Sequence, residues 1–375
     1  MKSKKLYIIA GEASGDLHGS NLIKSLHKQE DNLEIRAWGG DLMEKAGATL
    51  VKHYKELAFM GFVEVIMNLR TILKNLKSCK SDIDSFNPDA IILIDYPGFN
   101  MRIAEWAHQK GIKVLYYISP QIWAWKKNRV FKIKKTVDKM FVILPFEKAF
   151  YADYNVDVDF VGHPLLDEIA EYQKTAINEG EFRTKNGLSE SPIIALLPGS
   201  RKQEISKMLP KMLSVVSDFS EYQFVIGASS SIDDQFYNEF LNTKNVSIIR
   251  NQTYDLFNLA KAGLVTSGTA TLEAAIFGMP EVVCYSGNAV SIAIARKLIN
   301  IKFISLVNLI MDREVVKELI QSDLNKSNLT SELKLILNSD FSNKMKDDYS
   351  QLYKKLGGVG ASDKVAIAML KTISQ

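Results

Sequence analysis

The chain has 375 residues, 46% of them apolar and 24% charged, with no low-complexity tract and no evident repeat, which suits a globular protein with room for two buried cores and excludes disordered and repeat architectures. A net charge of +4 conceals an asymmetry, because residues 1–150 hold 24 Lys and Arg against 16 Asp and Glu, so the N-terminal part looks toward something anionic. No run approaches 18 apolar residues, so no membrane span is expected, and two distant cysteines, Cys79 and Cys284, imply buried thiols in a reducing cytoplasm rather than a disulfide or zinc site.

The basic start before Leu6–Ala10 imitates a signal peptide, but five apolar residues are too few, and the run reads as a first strand. It opens into Gly11-Glu12-Ala13-Ser14-Gly15-Asp16-Leu17-His18-Gly19, a glycine-rich loop that is not G-x-G-x-x-G. No G-x-x-x-x-G-K-[ST] occurs either, so hydride-transfer and NTPase readings lose their main support. Gly11, Glu12, Ser14, Gly15 and Asp16 are candidate ligand-cleft residues, since glycines let backbone approach a ligand closely. For Glu12, Asp16 and the nearby His18, a solvated or helix-capping role is the alternative.

The stretch Phe59–Met67 is more apolar than a surface loop needs. It reads as a core helix or as a lipid-facing patch carrying Met60, Phe62, Val65 and Ile66. Leu69, Ile72, Leu73, Leu76, Ile83 and Phe86 then mark one helix face. The buried run Ala90–Ile94 ends at Asp95, where parallel-sheet folds put functional side chains. A carboxylate beside apolar neighbours gains proton affinity, which suits a general base; capping the next helix is the alternative.

Further apolar runs follow at Val114–Ile118, Met140–Leu144 and Phe160–Val161. Between the first two, Trp123, Trp125, Lys126 and Arg129 lead into Lys132, Lys134 and Lys135. Aromatics beside cations suit nucleic acid or a membrane interface with anionic lipid. His163, in Gly162-His163-Pro164, ends a strand, and no histidines are spaced as a metal cluster. Of two D-x-D patterns, Asp82/Asp84 point to different sides of a helix and Asp157/Asp159 lack a glycine loop, so neither reads as a metal site.

The polar stretch 167–191 reads as a hinge, after which apolar runs resume at Ile193–Leu197, Phe224–Ile226, Val246–Ile249, Leu264–Val265 and Val282–Tyr285. Continuous apolar strands separated by helices indicate parallel sheets covered on both faces. The expected architecture is α/β: domains at 1–166 and 192–345, doubly wound and facing across a cleft, with a final helix within 346–375 that is free to pack back on the first domain. Gly199-Ser200-Arg201 ends a strand with backbone amides and a guanidinium together, a donor set for a diphosphate, the alternative being an exposed basic loop. Ser267-Gly268-Thr269 starts a helix whose N-terminal donors favour phosphate. One turn on, Glu273 suits the hydroxyl pair of a ribose, the alternative being an ordinary capped helix.

Taken together, Gly11–Asp16, Met60–Val65, Ile94–Asn100, Ser119–Trp125, Leu144–Glu147, Gly162–Pro164, Leu197–Arg201 and Ser267–Glu273 resemble lipid-A-disaccharide synthases, in order along nearly the whole chain. The resemblance implies a GT-B fold with two Rossmann-like domains and an inverting, metal-independent transfer with no cofactor. The implied donor is UDP-2,3-diacylglucosamine, the acceptor 2,3-diacylglucosamine 1-phosphate, and the product a β-1,6-linked disaccharide phosphate plus UDP, made by a peripheral protein on the inner face of the inner membrane. It further implies Asp95 as base for the acceptor hydroxyl, Arg201 at the leaving diphosphate and Asn308 as a UDP ligand. The apolar patch would meet acyl chains, and the basic region anionic head groups or the acceptor phosphate. No nucleic-acid partner is implied, and a homo-oligomer is left open. Gly98 stands where some members carry an acidic residue, and Val307 where proline is common. Rival readings are another GT-B enzyme, such as a cell-wall glycosyltransferase or a UDP-sugar 2-epimerase, and a non-catalytic nucleotide-sugar or lipid-binding protein.

Overall fold

The computed structural model describes residues 3–57, 69–124, 127–241, 244–287 and 302–375. Met60, Phe62, Val65, Ile66, Trp125 and Lys126 lie outside the described residues. The chain forms two compact units, one of residues 1–167 with 356–375, the other of residues 168–355.

The first unit holds a seven-stranded sheet in the order β3-β2-β1-β4-β5-β6-β7. Its strands are β1 (Lys4–Ala10), β2 (Leu33–Gly39), β3 (Thr49–His53), β4 (Ala90–Ile94), β5 (Lys113–Tyr117), β6 (Lys139–Val142) and β7 (Val158–Phe160). All adjacent pairs are parallel; β1 lies between β2 and β4, with Ile8 opposite Ala37 on one side and Ile92 on the other. The central strands are buried on both faces, which is why they read as unbroken apolar runs. One face packs against the helix Leu69–Phe86 through Leu76, Cys79, Ile83 and Phe86. Leu73, expected on that face, is 55% exposed, since it lies a residue off the 76–79–83–86 stripe. On the other face the first helix, Ala13–Gln29, packs with the last, Ala361–Ser374, where Val365, Ala366 and Met369 join the core and Ser25 bonds Asp363 at 2.6 Å.

The second unit holds a six-stranded sheet, β10-β9-β8-β11-β12-β13, again parallel at each pairing. Here β8 is Ile193–Leu197, β9 Gln223–Ala228, β10 Val246–Arg250, β11 Ala262–Thr266, β12 Glu281–Tyr285 and β13 Lys317–Ile320. Residues 167–191, read from sequence as a polar hinge, carry the helices Leu165–Gln173 and Glu179–Asn186, the second capped by Asn178 and closed by Gly187 in the left-handed region. Residues 346–355 continue the helix Ser339–Lys355 of the second unit, so the return to the first unit begins at Leu356, not at 346. Both cysteines are buried and unbridged.

In each unit the strand order reverses at one place, between β1 and β4 and between β8 and β11. Loops leaving the carboxyl ends of such neighbours diverge to opposite faces and leave a crevice between them. The loops starting at Gly11 and Asp95 flank the first crevice, those starting at Gly199 and Ser267 the second.

Candidate functional site

In the first unit, Asp95 and Tyr96 both adopt left-handed backbone, with φ of 43° and 48°. Such conformations cost non-glycine residues about 1–3 kcal/mol each. Local bonds offset this: the Tyr116 hydroxyl donates to the Asp95 carbonyl at 2.5 Å, and Asn100 Nδ2 donates to the same oxygen at 2.8 Å. Asn100, fully buried, also reaches the carbonyl oxygens of Ile94 and Ile9, tying the tips of β4 and β1 together. The helix Pro97–Gln109 has Tyr96 as its N-cap, whose side chain makes no capping bond, and the Tyr96 backbone N–H bonds the Asp95 carboxyl. Burial, with the Glu12 carboxylate second, pushes the Asp95 carboxyl up to about 6.

Gly11 is where the two loops meet, because a Cβ there would stand 2.3 Å from Cγ of Tyr96. Glu12 and Ser14 are exposed at the start of the first helix, and Gly15 is buried with room for almost no side chain, a Cβ lying 3.0 Å from that of Ala10. Asp16 takes the helix-capping alternative: its buried carboxylate accepts the N–H groups of Gly40, Leu42 and Met43 at 2.8, 3.2 and 3.0 Å at the start of the helix Asp41–Lys45. His163 is buried, its Nδ1 accepts the Leu165 N–H at 3.2 Å, and burial pushes its imidazole down to about 3.

Among the described residues, Trp123 lies in the loop after β5, and the helix Arg129–Thr136 follows before β6. Trp123 stands edge-on to Phe146 at 4.9 Å, close to Glu147, whose carboxyl accepts the Leu144 N–H and is pushed up to about 7 by burial. Arg129 opens the helix Arg129–Thr136, whose Val130, Ile133 and Thr136 face inward while Lys134 and Lys135 are exposed and Phe131 is 60% exposed.

In the second unit, a cavity of about 520 Å³ opens at the carboxyl ends of β8, β9 and β11. Gly199, Ser200 and Arg201 line it from one side, Ser267, Gly268 and Thr269 from the other. Gly199 has φ +113° and its place is filled by Glu204, to whose carboxylate the Ser200 N–H donates at 3.2 Å. Arg201 caps the helix Lys202–Leu213 with extended backbone and holds its guanidinium 66% exposed, 3.4 Å from Glu204. Ser267 Oγ donates to the Ile304 carbonyl at 3.0 Å, and the helix Thr269–Ile276 starts without a side-chain cap, so its first N–H groups remain available to an anion.

Glu273 is not in that lining; it sits one turn along the same helix, where burial pushes its carboxyl up to about 7. Asn308 is likewise not in that lining. It is fully buried, donating to the Val316 carbonyl and the Glu318 carboxylate and accepting from the Val315 and Val316 N–H groups. With all its amide capacity used, its side chain braces the 304–318 segment. That segment receives the Ser267 hydroxyl at the Ile304 carbonyl.

The cavity also contains Gly227, Ser229, Ser230, Asn251 and Thr253, which the sequence reading missed. A small-residue run straight after the Phe224–Ile226 strand was the available signal. No group of three His, Cys, Asp or Glu among the described residues is placed to hold a metal. Asp82 is engaged by Tyr7 and Arg36, Asp84 by Lys110, and Asp157 with Asp159 by Lys139.

A family model described as lipid-A-disaccharide synthetase matches residues 6–372. Lipid-A-disaccharide synthase of Syntrophus aciditrophicus is 39% identical over all of this chain and 99% of its own length, and that of Coxiella burnetii is 37% identical over 90% of each. Among solved structures, UDP-GlcNAc 2-epimerase from Neisseria meningitidis bound to UDP-GlcNAc aligns with TM-score 0.69 and 14% identity, over 98% of this chain and all of that one. A glycosyltransferase of kitacinnamycin aligns with TM-score 0.66 and 12% identity over the whole of both. These likenesses establish the GT-B fold.

Proposed function

Because the chain belongs to the lipid-A-disaccharide synthase family, as a UDP-sugar-dependent glycosyltransferase of lipid A biosynthesis, we propose that it joins UDP-2,3-diacylglucosamine to 2,3-diacylglucosamine 1-phosphate with inversion. The observation that carries this reading is the cavity in the second unit, where an exposed guanidinium and an uncapped helix start share one lining. That donor set matches a diphosphate, while Glu273 on the next turn offers a carboxylate to the ribose hydroxyls.

In the reaction, the acceptor 6-hydroxyl oxygen bonds to the anomeric carbon as the carbon–oxygen bond to UDP breaks. Asp95 takes the hydroxyl proton, for which a carboxyl held near 6 is ionised and still basic at neutral pH. The negative charge passes to the diphosphate, where Arg201 and the amides of Gly268 and Thr269 stabilise it. These charges are met by protein groups alone, so the transfer needs no metal. The exposed Phe131 with Lys134 and Lys135, together with the apolar sequence around Phe62, Val65 and Ile66, supports attachment to an anionic bilayer face. No helix among the described residues is long and apolar enough to cross a membrane.

The test is transfer between purified acylated donor and acceptor in detergent, with and without EDTA. Disaccharide phosphate and UDP are expected in equal amounts, unchanged by chelation. Turnover of unacylated UDP-GlcNAc without sugar transfer would point to epimerase chemistry instead, and UDP release abolished by EDTA would overturn the metal-free mechanism.

A further inference from the structure

Glu273 is held by one neighbour that the assigned chemistry leaves unused. The Tyr254 hydroxyl donates to Glu273 Oε1 at 3.3 Å. Its ring stands 5.2 Å from that of Phe277, four residues beyond Glu273 and so on the same side of that helical turn. Behind it, Tyr172 packs edge-on at 5.3 Å from Tyr254 and 5.6 Å from Phe277, with its own hydroxyl bonded to Asp255. Tyr254 is thus clamped at the ring and directed at the carboxylate. It also follows Thr253, which lines the cavity, so one short turn contacts both the cavity and the Glu273 side chain.

The environment makes that bond consequential. Glu273 is buried, and the nearby Glu168 carboxylate further disfavours its ionised form, whereas the Tyr254 hydrogen bond favours it. The ionised form accepts from two hydroxyls and from Tyr254 with no acceptor position given up to its own proton, and its charge strengthens each bond.

We propose that Tyr254 is a positioning residue that sets selectivity for ribose: by fixing Glu273 in place it lets the site distinguish a ribonucleoside diphosphate from one lacking the ribose hydroxyls. This rests on the assignment of Glu273 to the ribose. Tyr254 does not touch substrate in this account; it acts through Glu273, and the property it controls is discrimination, not affinity for the phosphates.

The test is calorimetric titration of the full chain with UDP and with its dideoxy analogue lacking both ribose hydroxyls, for wild type, Tyr254→Phe and Glu273→Gln. Tyr254→Phe keeps the ring and its packing, so the fold persists, which an unchanged thermal midpoint verifies. Wild type is expected to prefer UDP, and Tyr254→Phe to lose about tenfold in UDP affinity, the usual scale for one hydrogen bond to a charged group. The analogue should bind the variant and wild type alike. If wild type discriminates, Glu273→Gln does not, and Tyr254→Phe discriminates fully, the positioning role is overturned while the ribose assignment stands. If wild type itself fails to discriminate, the ribose assignment falls and this inference with it. A Tyr254→Phe loss equal for both nucleotides would mark a structural role only and also overturns it.

Discussion

Asp95 is the base proposed for the first unit. Its left-handed backbone, shared with Tyr96, is held by Tyr116 and Asn100, and burial with the Glu12 charge lifts its carboxyl to about 6. A base must be ionised, so the rate should fall as pH drops through about 6; an unperturbed carboxyl would place that limb near about 4. Asp95→Asn should lower turnover by about 10²–10⁴-fold with UDP affinity unchanged. An acid limb near that of a free carboxyl, or wild-type turnover in the Asn variant, would remove Asp95 as base. The position of Asp95 was legible because a strand end next to a carboxylate is a local pattern. Its backbone strain was not, since Tyr116 lies on the neighbouring strand. Asp16 and Asn308 show the opposite difficulty. The Asp16 carboxylate is held by backbone groups of residues 40–43, and the Asn308 amide by backbone groups of residues 315–316 and the Glu318 carboxylate, and a sequence does not reveal whether a polar side chain will be engaged by its own fold.

Among elements, the strands buried on both faces were legible as continuous apolar runs, with Ala90–Ile94 and Ile193–Leu197 matching the observed limits. Three strands were missed, β2, β3 and β13, and each carries charge: Glu34 and Arg36, Lys52, and Lys317 with Glu318. β3 and β13 are edge strands, where one side faces no neighbour and polar residues are tolerated. β2 is internal, but Arg36 points outward to pair with Asp82 at 3.1 Å, which breaks the apolar run. The helix Arg129–Thr136 carries a prediction of its own. Its inward face is Val130, Ile133 and Thr136, while Phe131 and Lys134 reach only the partly buried Tyr154, by an edge-on ring contact at 5.9 Å and a 3.2 Å bond to its carbonyl, and Lys135 is exposed. Replacing Phe131 with Ser and both lysines with Glu should reduce sedimentation with anionic vesicles by about tenfold, each basic residue near such a surface being worth about 1 kcal/mol, at unchanged thermal midpoint. Equal sedimentation of the variant and wild type would remove this helix from the membrane surface.

Taken whole, the molecule uses one topological device twice. Both sheets run outward from a central strand in opposite directions, and in both the candidate residues leave the two strands at the reversal. Alternation of apolar runs and helices made the parallel α/β class legible. The order of strands within each sheet was not, because pairing is a long-range property that no window of sequence contains. The return of the last helix to the first unit is likewise set by distant contacts of Val365, Ala366 and Met369.

The central claim is that Arg201 and the turn at Ser267–Thr269 hold the diphosphate of one nucleotide, and titration of UDP into the wild-type chain and Arg201→Ala tests it most directly. Because the Arg201 side chain is 66% exposed, with Glu204 at 3.4 Å, the variant should keep its thermal midpoint and lose about tenfold or more in UDP affinity, the scale of a charge-assisted bond to phosphate. Wild-type UDP affinity in Arg201→Ala would contradict the account.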